Sequence, residues 1–201
     1  MKKEIITLVL VAVLWILLRI MEYYMPFFIQ ALLWLGFSAA FLIVTIKQLI
    51  KLIKEIKNIK MIRIVKFFFY GLIFYLTLNR WLILGIIEKA DWHILYQKRM
   101  EIVEKVQKKE LNPIDGNYIC ELPFEFPIVS HDGNDIIIRR NDSTQTITVE
   151  FYVLRNFHSA ASTLFIYTND DGNIKYYDEL TNGHLQNNWK MKENWYRIKR
   201  K

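Results

Sequence analysis

Four histidines (His93, His131, His158 and His184), one cysteine (Cys120) and a scatter of carboxylates are the residues with which this chain could do chemistry. A zinc site on a helix needs two histidines three or four residues apart, so that both face the metal. No two of these histidines have that spacing, and His131-Asp132 sits in turn-forming sequence, where a solvated side chain is expected. Ser159, His158 and Asp178 supply the residue types of a hydrolytic triad, but no glycine-flanked nucleophile elbow surrounds Ser159. The run Asn169-Asp170-Asp171-Gly172-Asn173 is rich in oxygen ligands yet lacks the bidentate glutamate that closes a calcium loop, so it reads as a hairpin turn. The seven glycines form neither a P-loop nor a dinucleotide fingerprint. Cys120, in the apolar run Tyr118-Ile119-Cys120, has no second cysteine to pair with and reads as a small buried hydrophobe. The expectation is a protein with no catalytic residue, no metal site and no cofactor, and therefore not an enzyme.

Charge divides the chain into two halves. Residues 1–87 carry eleven Lys and Arg against Glu4, Glu22 and Glu55, whereas residues 88–201 carry sixteen basic against seventeen acidic residues. The formal charges are +8 and −1, which sum to the net +7. The second half thus lacks the basic surface that phosphate backbones require, and nucleic acid is not an expected partner.

The first half must position its charges around long apolar runs. Ile5 to Tyr24, Phe27 to Ile46 and Phe67 to Ile87 are each about twenty residues, enough to cross a ~30 Å hydrocarbon core as a helix. The first run follows a short basic start but has no small-residue cleavage site after it, so a retained helix is expected in place of a signal peptide. Arg19 and Glu22 share a helical face and should pair. Gly36 and Ala40 have the spacing that permits close helix approach. Seven basic residues lie between Lys47 and Lys66, and their three-residue spacing from Lys54 onward drifts around a helix. Two helix ends meeting near Asn58 account for that drift. Within the third run, Asn79 and Arg80 are the polar exceptions, and Arg80 should pair with Glu22 or snorkel to the headgroups. A transporter needs polar or broken spans, for which only Gln30, Asn79 and Arg80 are available. The basic connection predicts a cytoplasmic loop, a cytoplasmic N-terminus and an extracytoplasmic second half.

Residues 88–201 read as a small soluble domain. An apolar stripe through Ile94, Leu95, Met100, Ile102, Val103 and Val106 predicts a helix over 91–110, capped by Asp91. Asn112-Pro113 and Asp115-Gly116 break it. Six β-prone runs follow: Asn117–Leu122, Asp135–Arg139, Thr146–Leu154, Thr163–Thr168, Asn173–Tyr177 and Trp195–Lys199. The predicted fold class is about three transmembrane α-helices (1–87) followed by a small α+β domain with an antiparallel sheet (88–201). The aromatic residues Phe124, Phe126, Tyr176, Tyr177, Trp189 and Trp195 either fill its core or form a contact surface.

The pattern Arg99 with Ile102-Val103, Leu122-Pro123, Ser130 with Gly133, Val149-Glu150-Phe151-Tyr152 with Arg155, and Phe165-Ile166-Tyr167 resembles uncharacterised multi-pass membrane proteins of Bacillus-type bacteria. The resemblance covers roughly residues 95–198 and implies a few spans before a helix-plus-sheet domain, with no activity attached. The expected function is that of a multi-pass cell-membrane protein presenting an extracytoplasmic binding or protective, immunity-like domain. Its expected partners are the lipid bilayer and another membrane or envelope protein. The alternative is a component of a transport or envelope enzyme system.

Overall fold

A computed structural model describes residues 2–114, 117–131, 133–154, 162–183 and 187–200. The chain divides into two compact units, Met1–Ala90 and Asp91–Lys201.

The first unit is helical. Helix α1 (Lys2–Tyr23), helix α2 (Phe27–Lys54) and helix α3 (Met61–Leu78) are each long and apolar enough to cross a bilayer, which makes this a membrane-embedded protein. α2 and α3 meet through a 3-10 turn at Ile56–Asn58, where the drift of the lysines predicts two helix ends. Outward-facing Leu10, Leu14, Leu32, Leu35 and Phe68 are exposed on these helices, as lipid-facing side chains must be. The third apolar run is not one helix. α3 ends at Leu78, Asn79 adopts φ −90° and ψ 48°, and Arg80 opens helix α4 (Arg80–Gln107). The Tyr75 carbonyl accepts both the backbone N–H and the side-chain Nδ2 of Asn79, each at 3.0 Å, a local side-chain bond of the kind that accompanies bends in helices.

α4 contributes Arg80–Ala90 to the first unit and Asp91–Gln107 to the second. It passes Asp91 without a break, so Asp91 is no helix cap. Trp92, Leu95, Arg99, Ile102, Val103 and Val106 recur at helical spacing and are buried.

The second unit is a six-stranded antiparallel sheet with a helix on each face. The strands are β1 (Ile119–Glu121), β2 (Asp135–Asn141), β3 (Thr146–Leu154), β4 (Ser162–Thr168), β5 (Trp189–Lys192) and β6 (Trp195–Arg200), in the order β1-β2-β3-β4-β6-β5. Each is antiparallel to its neighbours. β3 runs centrally, and Ile147, Thr148, Val149, Glu150 and Phe151 in succession are buried, so both of its faces are covered. On one face Trp92 of α4 meets Phe165 and Trp195 edge-on, at 5.1 and 5.0 Å between ring centres. The other face packs Leu164, Ile166, Tyr196 and Ile198 under helix α5 (Asp171–Gly183), through Tyr177 and Leu180.

α5 replaces the hairpin expected at residues 169–173. Asp170 Oδ1 accepts the backbone N–H of Asn173 at 2.9 Å, and Asp170 Oδ2 accepts the Thr146 hydroxyl at 3.0 Å. Asp170 therefore caps a helix, and Asn173–Tyr177, expected as a strand, forms its first turns. Of the two β-prone runs flanking that turn, Thr163–Thr168 lies in β4 but Asn173–Tyr177 lies in α5, and the strand that follows the helix is β5 at Trp189–Lys192, a run the sequence pattern did not single out.

Candidate functional site

The membrane unit collects its buried polar groups near one end of the helices. Thr77 of α3 joins all three: its hydroxyl accepts the Trp15 indole N–H at 3.0 Å, and its carbonyl accepts that of Trp34 at 3.0 Å. Close by, Arg19 and Glu22 form the expected pair, both fully enclosed, and Arg80 approaches the same carboxylate at 4.0 Å. The other two polar exceptions are spent locally. Gln30 donates to the Met25 carbonyl at 2.7 Å and Asn79 to that of Tyr75. Gly36, whose spacing to Ala40 permits a close helix approach or is ordinary membrane-helix composition, marks no such approach: a Cβ added there would meet nothing within 4 Å.

At the opposite end, Lys66 donates to Glu4 at 2.8 Å and Arg63 holds Glu55 at 3.0 Å. Lys54, Lys57, Lys60, Arg63, Glu55 and Asn58 line an open hollow of about 300 Å³ around the turn between α2 and α3.

In the second unit the polar groups under α4 are structural. Arg99 donates to Asp91 Oδ2 at 2.6 Å and to the Val129 carbonyl at 3.1 Å, and its guanidinium lies 4.9 Å over the Phe165 ring. His131, expected to be solvated, is instead buried. The turn after it is pinned inward: Asn134 Oδ1 accepts the N–H groups of Val129 and Ser130, Ser130 Oγ accepts the N–H of Tyr152, and the His131 N–H donates to the Tyr152 carbonyl at 2.8 Å. Gly133 (φ 105°) and Asn134 (φ 64°) supply the left-handed conformations this turn needs. Burial, with the Arg99 cation nearby, pushes the His131 imidazole down to about 3. It is neutral at physiological pH and out of range for acid–base work.

The α5 face carries a second cluster. Glu150 is fully buried yet receives the guanidinium of Arg139 and both Nη atoms of Arg200, the latter at 2.8 and 3.0 Å. Both arginines remain about half exposed. Arg139 also lies 5.6 Å over the ring of Tyr118. Tyr118, Phe124 and Phe126, all within one short segment beside β1, are 63%, 80% and 65% exposed. The six aromatics that could fill the core or form a contact surface separate: Trp195 and Tyr177 are core, Trp189 is half-buried, and Tyr176, Phe124 and Phe126 face outward.

Cys120 is buried on the α4 face, and burial raises its thiol, which lowers its reactivity. Asp178 accepts from Lys190 at 2.8 Å and from the Tyr196 hydroxyl at 2.9 Å; the Lys190 contact holds its carboxyl below the usual range. His93 is exposed on α4. Ser159, His158, His184, Asp132 and Arg155 lie outside the described residues. Among the described residues no three His, Cys, Asp or Glu come together as metal ligands. Comparison with protein-family models, curated proteins and solved structures gave no match.

Proposed function

We propose that this protein is a multi-pass cell-membrane protein that presents its second unit, outside the cytoplasm, as a binding or protective domain and carries out no catalysis. The observation that carries the reading is the outward cluster of Tyr118, Phe124 and Phe126 beside Arg139, whose guanidinium is fixed by buried Glu150. Aromatic residues and arginine dominate the energetics of protein interfaces because they bury large rigid surfaces and fork-shaped donors at little entropic cost. A soluble domain gains nothing by leaving two phenylalanines so exposed unless a partner covers them. The partner in this reading is another membrane or envelope protein that offers carboxylates to Arg139 and Arg200. The orientation rests on the basic turn from Lys47 to Lys66 and on Lys2 and Lys3, which lie at the same end of the membrane unit as the Lys66–Glu4 pair.

The test is a photo-crosslinking residue at Phe124 of the full chain in its native membrane, with the same residue at exposed Lys108 as control. A discrete adduct at Phe124, absent at Lys108 and lost when Arg139→Ala is added, supports the reading. Identical adduct patterns at both positions would sink it.

A further inference from the structure

The end of the membrane unit that carries Glu22 holds two cations against one anion. Arg19 takes Glu22 Oε2. Arg80 stands 4.0 Å from Oε1, beyond hydrogen-bond range, with its side chain 14% exposed while Arg19 and Glu22 are 1% and 0% exposed. Among the described residues, Nε and Nη2 of Arg19 and Nη1 of Arg80 meet no hydrogen-bond acceptor, and Glu22 Oε1 meets no donor. A buried cation excess in an apolar medium is costly until an anion compensates it.

The depth of the cluster indicates which anion. The Glu4–Lys66 pair marks one edge of the apolar helices. Glu22 lies eighteen residues further along α1, or ~27 Å of helical rise. That matches the ~30 Å hydrocarbon thickness, so the cluster stands where the other row of lipid phosphates begins. The indoles of Trp34 and Trp81 flank the Arg80 guanidinium at 5.7 and 4.9 Å, and Trp81 is exposed on the helix surface. Indoles favour this depth, and rings that hold a guanidinium by its faces leave its edge to donate; with Nη1 buried, the donating edge is the part of the guanidinium on the 14% exposed side of Arg80.

We propose that Arg80 binds the phosphate of an anionic phospholipid headgroup. Arg19 is a positioning residue. Enclosed between Trp15 and Phe37, it neutralises Glu22 and so leaves the charge of Arg80 for the lipid. The single excess positive charge selects an anionic lipid over a zwitterionic one, whose own cation would be repelled. The hollow at the basic turn also attracts anions, but through exposed lysines, and so provides an internal control.

The test is native mass spectrometry of the full chain in detergent, with dioleoylphosphatidylglycerol, dioleoylphosphatidylcholine or inorganic phosphate as probe. The expected result is one tightly retained phosphatidylglycerol and much weaker phosphatidylcholine. Arg80→Gln should weaken that retention by about tenfold, the worth of one charge-assisted hydrogen bond, while Lys57→Gln leaves it unchanged. Glu22→Gln raises the local excess from one positive charge to two and should tighten retention, a gain that a merely structural ion pair would not give; this arm stands even if Arg80→Gln does not fold. Equal retention by Arg80→Gln and wild type, equal retention of phosphatidylcholine, no gain in Glu22→Gln, or displacement of the lipid by inorganic phosphate would each overturn the proposal. So would a dimer that Arg80→Gln dissolves, since that would replace the lipid by a carboxylate of a second copy.

Discussion

Arg99 and Asp91 stand two turns apart on α4 and are joined by a 2.6 Å ion pair in which both side chains are 1% exposed. The arginine lies back along the helix toward its N-terminus, the direction in which helical side chains lean. It then donates sideways to the Val129 carbonyl, tying α4 to the segment before β2. Removing one partner strands the other. Asp91→Ala should cost about 3–5 kcal/mol, whereas the double change Asp91→Leu with Arg99→Met should recover most of it. Urea unfolding of the two variants checks the sign: a double variant no more stable than the single one would show that the pair is worth more than its desolvation.

His131 makes the second unit sensitive to acid. Its folded value near 3 lies below the ~6.5 of an unfolded histidine, so between those values the unfolded chain binds the extra proton and stability rises with pH. The contribution is complete above pH ~6.5 and is lost as the pH falls toward 3. Between pH 6.5 and 4.5 it amounts to roughly 2–3 kcal/mol. His131→Phe should flatten this part of the pH profile of the urea midpoint, and an unchanged slope would remove His131 as its source.

Thr77 should be a fastening point of the membrane unit. Thr77→Val keeps the shape but leaves the Trp15 N–H without its acceptor. A loss of about 1 kcal/mol is expected, typical of hydrogen bonds between membrane helices. Adding Trp15→Phe should cost little more, because the donor is then gone too. Thermal inactivation in detergent would reveal additive losses if the two residues acted independently.

Residues 91–201 should fold when expressed alone. The α4 stripe and α5 close both faces of the sheet with residues from this segment. One cooperative thermal transition without detergent is the expected outcome; a featureless melt would show that the helical unit is required.

The proposed orientation predicts that alkaline phosphatase fused after Lys201 is active and fused after Asn58 is inactive. The opposite pattern would put the second unit in the cytoplasm.

The sequence by itself determined the membrane class, because a run of twenty apolar residues has nowhere else to bury its length. It also located β3, whose Thr146–Leu154 limits follow from β-branched and aromatic density, and the pairing of Glu22 with Arg19, since few charges compete in the first half; for Arg80 it left pairing with Glu22 and snorkelling open. Tertiary structure decided the rest. Asn169–Asn173 suits a hairpin turn and a helix cap equally, and Tyr177 and Leu180 packing on Leu164 and Ile166 selects the helix. The His131 turn looks polar in one dimension but is drawn inward by Asn134 and Ser130 onto β3. Glu150, Arg139 and Arg200 are far apart along the chain and meet only because β6 pairs with β4 and β2 with β3. Local pattern reports how a residue sits relative to its sequence neighbours; which buried group finds which counter-charge depends on strand order and register, and neither leaves a local trace.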